Sequence, residues 1–146
     1  MLIDEIKKAN IQAMKDRDST KRGALSILIT KYNNVAIEKK SKGQDATDAD
    51  LLAIIQKTLK ELEDEMTGYK QVGNQARVLD IMLQIKALTD YLPKQLTEDE
   101  IRAEIDKLAD KSIPSVMKHF KANYAGQVDM SVVSRIVRGA QYVRRN

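Results

Sequence analysis

The stretch Tyr91-Leu92-Pro93-Lys94-Gln95-Leu96-Thr97-Glu98-Asp99-Glu100-Ile101 constrains the fold most, because it forces one helix to stop and another to begin. Pro93 lacks the amide proton that a helix interior needs, and it pushes Leu92 out of helical geometry. The apolar periodicity arriving from upstream must therefore end there. Thr97 with Glu100 three residues on has the spacing of a capping box, and the acids at 98 to 100 suit the positive end of a helix dipole. A new helix is expected from about residue 98. The chain is thereby divided into 1–92, a proline-containing junction 93–96, and 97–146.

Upstream of that boundary the apolar residues recur at helical spacing. Leu2, Ile3, Ile6, Ala9, Ala13 and Met14 define a first helix. Ser19 or Thr20 can cap a second, whose stripe is Ala24, Leu25, Leu28, Tyr32, Val35 and Ala36. Thr47 and Asp50 repeat the capping spacing ahead of Leu51, Leu52, Ile55, Leu59, Leu62, Met66 and Tyr69, with Gly68 inside the pattern. Val72-Gly73-Asn74 reads as a stop, and Val78, Ile81, Met82, Ile85 and Leu88 mark a fourth helix. Beyond the junction come Ile101, Ile105 and Leu108, then a helix opened by Ser112 and Pro114 with Val116, Met117, Phe120 and Tyr124. Gly126 ends it. Asp129 can cap the last helix, with Val132, Val133, Ile136, Val137 and Ala140 on its apolar face. The expectation is all-α: an N-terminal bundle of about four helices followed by a small three-helix tail domain.

Composition agrees, with only two prolines, six glycines and six aromatic residues in 146. The chain has no cysteine, which excludes disulfides and thiolate metal sites. No stretch is apolar enough to span a membrane and the first residues carry acid early, so a cytoplasmic protein is expected. The net charge of +4 is unevenly distributed. Residues 1–42 hold ten basic and five acidic side chains, 43–92 five and nine, and 93–146 ten and seven. From residue 111 onward seven basic residues stand against Asp129 alone. Basic ends around an acidic middle can steer a polyanion, although solvated helix faces often look the same.

Catalytic chemistry has few residues to draw on. His119 is the single histidine, so a transition-metal site would have to rest on carboxylates, and it reads as a partly exposed surface residue. Glu61, Glu63, Asp64 and Glu65 spread around a helix rather than converging, and Tyr32, Tyr69 and Tyr124 fall in apolar stripes. No phosphate-cradling glycine loop, nucleophile elbow or dinucleotide fingerprint is present. No catalytic residue, metal or cofactor is expected. One face is more suggestive: Arg135, Arg138, Tyr142 and Arg145 lie at i, i+3, i+7 and i+10, opposite Ile136 and Ala140. Guanidiniums with a tyrosine can grip phosphates and stack on an exposed base, and Lys118 and Lys121 add charge to the preceding helix. The alternative is a terminal helix kept soluble by arginines.

Ile37-Glu38-Lys39-Lys40, the start at Thr47 to Asp50, Ile54-Ile55-Gln56-Lys57, Tyr69 to Gly73 and above all Tyr91 to Glu100 resemble the GatB/YqeY family over essentially the whole chain. Gly126, Asp129, Val133 and Ile136-Val137 resemble that family's closing helix. The resemblance implies a helical bundle with a three-helix tail. It also implies an accessory role: in the B subunit of tRNA-dependent amidotransferase, a carbon–nitrogen ligase with glutamine as amido donor, a similar module ends the chain and its tail contacts tRNA. The kinase-like and glutaminase parts have no counterpart here. The resemblance thus implies tRNA and the amidotransferase or synthetase machinery as partners, without catalysis by this chain alone. A protein-interaction adaptor that never touches RNA is the alternative, and the sequence leaves the oligomeric state open.

Overall fold

The computed structural model describes residues 1–145, with side-chain surroundings described for 1–139. Among the described residues there are seven helices and no strand: α1 (Leu2–Lys15), α2 (Ser19–Ser41), α3 (Asp48–Gln71), α4 (Gln75–Thr89), α5 (Glu98–Asp106), α6 (Ile113–Asn123) and α7 (Met130–Arg145). No described helix is long and apolar enough to cross a membrane. The chain forms two compact units, one spanning Met1–Leu92 and the other beginning at Pro93.

In the first unit polar side chains start α2, α3 and α4. Asp18, rather than Ser19 or Thr20, is the N-cap of α2, its carboxylate accepting from the Lys21 amide at 3.0 Å. The hydroxyl of Thr20 is used elsewhere, donating to Asp80 Oδ1 on α4 at 2.8 Å. Thr47 and Asp50 form a capping box on α3. Asp50 also receives Lys39 Nζ from α2 at 2.6 Å. Burial pushes the Asp50 carboxyl up, but the hydrogen bonds from Lys39 and Thr47 outweigh it and hold the group below its ordinary range. Gly68 does not interrupt α3, which continues to Gln71. Gly73 then takes φ 73° to close the helix, and Asn74 caps α4 through the Arg77 amide.

The core of this unit gathers Ile3, Ile6, Ala24, Leu25, Leu28, Tyr32, Leu51, Ile55, Leu62, Ile81 and Leu88. Thr58 is buried as well and satisfied, donating to Ile54 O at 2.8 Å and accepting from Lys31 Nζ at 3.1 Å. Two expected core methionines are not there. Met14 and Met82 are exposed, because each lies about 100° around its helix from a buried neighbour, Ala13 and Ile81, at the edge of the apolar stripe.

The second unit is built on Ile101, Ile105, Val116, Phe120, Val128, Val133, Ile136 and Val137. Thr97 and Glu100 form the capping box that starts α5. Ser112 occupies the N-cap of α6 without a side-chain capping bond, and Asp110 does the local work by accepting from the Ser112 amide and the Ser115 hydroxyl. Pro114 sits in the first turn, where its missing amide costs nothing. Gly126, with φ 77°, shapes the α6–α7 turn. At the start of α7 the Asp129 carboxylate accepts from the Ser131 amide at 2.9 Å.

Candidate nucleic-acid interface

Helix α7 buries Val133, Ile136 and Val137 against α5 and α6, which turns Arg135 and Arg138 to its opposite side. The two arginines fare differently. The Arg135 guanidinium is 63% exposed, yet it donates to Glu98 Oε1 in the first turn of α5. Arg102, one turn further along α5, adds a second contact to Glu98 at 3.5 Å. The hydrogen bond from Arg135 and then its charge hold the Glu98 carboxyl below the usual range. A phosphate approaching Arg135 must therefore compete with a carboxylate already in place.

Arg138 is exposed and has no ion pair among the described residues. Lys118 and Lys121 share that condition on α6, three residues apart and turned away from buried Val116 and Phe120. The structure thus joins Arg135 to Glu98 and leaves Arg138, Lys118 and Lys121 open to solvent, each on an outward face of two helices that pack on each other. The side chains of Tyr142 and Arg145 lie outside the described residues.

Two arrangements escape the sequence reading. His119 Nε2 is joined to Glu104 Oε1 of α5 at 2.9 Å, and the Asn123 amide donates to the His119 carbonyl at 2.9 Å. The imidazole stands edge-on to the Phe120 ring, with centroids 5.5 Å apart. The hydrogen bond to His119 holds the Glu104 carboxyl below its usual range, and burial with a bond to Glu104 pushes the Tyr124 hydroxyl above its own. His119 is therefore a half-buried brace between α5 and α6. The i, i+4 spacing of His119 and Asn123 was visible in sequence, whereas the carboxylate fifteen residues upstream carried no signal. The second arrangement concerns the junction. Gln95 Nε2 donates to Gly126 O at 2.6 Å and the Leu96 amide to Gln127 O at 2.8 Å. These residues anchor the α6–α7 turn, so the turn that orients α7 is fixed by two residues of the junction.

A family model described as Yqey-like protein matches residues 3–140. No curated protein matches the chain.

Proposed function

The chain belongs to the YqeY-like family, and on that premise we propose that it is a tRNA-binding accessory module of the tRNA-dependent amidotransferase or synthetase machinery. The observation that carries this reading is the exposure of Lys118, Lys121 and Arg138 on α6 and α7 without ion-pair partners among the described residues. Cations held on ordered helices attract phosphate without first giving up an internal partner. Arg135 is the reserve contact, available to a phosphate that displaces Glu98. The chain's part is binding rather than catalysis, a reading supported by the use of its only imidazole to hold α5 against α6.

Titration of unacylated tRNA at several salt concentrations tests the proposal. Affinity above that of a random polyanion, falling with salt, is the expected outcome. Equal affinity for both would sink it. Incubation with glutamine, ATP and misacylated tRNA should yield no sustained amide, and amide formation would overturn the non-catalytic part of the reading.

A further inference from the structure

Helix α4 is apolar on two sides. Ile81 and Leu88 are buried and Ile85 is half-buried on the core shared with α2 and α3, Val78 is half-buried at the groove edge, and Leu79, Met82 and Leu83 are 59%, 52% and 51% exposed. Their spacing of i, i+3 and i+4 gathers them into one outward stripe. The stripe continues along a shallow groove of about 470 Å³ lined by Lys70, Gly73, Gln75, Val78, Leu79 and Met82, and Val72, next to Gly73 in the chain, is 76% exposed. Scattered exposed leucines are ordinary, whereas a contiguous set on an ordered helix marks a contact surface.

We propose that this face pairs with the same face of a second copy of the chain, as an antiparallel α4–α4 contact about a two-fold axis. The arrangement of charge selects this occupant. Lys70 stands at one end of the stripe and Asp90, the C-cap of α4, at the other. The one acid within α4, Asp80, is tied to Thr20 and Gln84. Antiparallel pairing that sets Leu79 against Met82 of the second copy places Leu83 over its Val78 and Lys86 beside its Gln75. The same register brings Asp90 to the Lys70 end of the other copy, twice by symmetry. Parallel pairing would set like charge on like charge.

The apolar area exposed by Val72, Leu79, Met82 and Leu83 amounts to roughly 400 Å² per copy, about half of what a standard interface buries on each side. The association, with an area this small, belongs to the weak, transient class of contacts. It involves none of the α6 and α7 cations, so it stands or falls separately from RNA binding.

Sedimentation velocity of the full chain over micromolar to submillimolar concentration reads the equilibrium. Concentration-dependent dimerisation is expected, with Leu83→Glu monomeric and its helical circular dichroism and melting temperature unchanged. Asp90→Lys should weaken the dimer about tenfold, and adding Lys70→Glu should restore it. A chain that stays monomeric at submillimolar concentration overturns the proposal, as does a dimer that survives Leu83→Glu. Failure of the double exchange to restore what Asp90→Lys loses rejects the antiparallel pairing.

Discussion

In the first unit Lys31 and Lys39 reach from α2 to Glu61 and Asp50 on α3, at 3.0 and 2.6 Å, and so use their charge to hold helices together. In the second, Arg135 is engaged in the same way by Glu98, but Lys118, Lys121 and Arg138 are not. Lys7, Lys8, Lys21 and Arg22 of the first unit are likewise exposed without an ion pair among the described residues, so what sets the second unit apart is where its acids fall. Residues 43–92 carry nine, among them the α3 partners of the basic α2, whereas the second unit concentrates six of its seven acids between Glu98 and Asp110. Net charge alone would have favoured the opposite view, because residues 1–42 carry the largest basic excess of the three blocks. Paired cations stabilise a fold modestly; unpaired ones on a rigid helix are what a polyanion meets first.

The largest effect that separates the two units comes from their cores. Phe120→Ala empties the largest fully buried side chain among the described residues and should cost about 3–5 kcal/mol, taking RNA affinity with it as α6 and α7 lose their support. Leu28→Ala in the first unit, at about 2–5 kcal/mol, should weaken folding while leaving RNA affinity of the remaining folded protein unchanged. Chemical denaturation with a parallel tRNA titration reads both, and a Phe120→Ala protein that binds tRNA normally would break the division of labour. Next in size, Glu98→Gln frees Arg135 and should raise tRNA affinity severalfold, and an unchanged or lower affinity would assign Arg135 to structure alone.

The capping boxes offer a matched pair. Thr47→Ala and Thr97→Ala should each cost about 1 kcal/mol in denaturant titrations. The Thr47 loss should be the larger, because the Lys39–Asp50 pair is built on that box, and equal losses would show that the pair does not depend on it.

The smallest effect is in pH. Asp50 and Glu104 both have folded values below the ordinary carboxyl range. Each therefore adds stability that is complete above the unfolded carboxyl range and is lost as pH falls through the depressed folded value. Lys39→Met should flatten that acid limb in the first unit, and His119→Gln in the second. Denaturant midpoints across the acid limb, from about pH 6 down to about pH 3, check the sign, and stability rising on acidification would contradict it.

The helices were legible in the sequence because capping chemistry and apolar spacing are local: Thr47 with Asp50 and Thr97 with Glu100 both form the boxes their spacing announces. Asp18 displaced Ser19 and Thr20 as the α2 cap, and Thr20 has its partner on α4, sixty residues away, which no local pattern reveals. Met14 and Met82 read as core because a stripe's edge is set by the neighbouring helices, not by the helix itself. For the candidate interface, outward placement of Arg135 and Arg138 followed from the burial of Ile136, but the capture of Arg135 by Glu98 needed the tertiary fold. Gln95 was legible as a motif residue and not as the anchor of the α6–α7 turn.

The most direct test compares the salt dependence of tRNA binding for two sets of neutralised cations, Lys118→Ala with Lys121→Ala and Arg138→Ala against Lys7→Ala with Lys8→Ala. Removing one phosphate-binding cation should flatten the slope of log affinity against log salt by about one unit. The expected result is a flattened slope and weaker binding for the α6–α7 set, with the α1 set close to wild type. Weakening confined to the α1 set, or equal slopes in all three proteins, would contradict the assignment of RNA binding to the second unit.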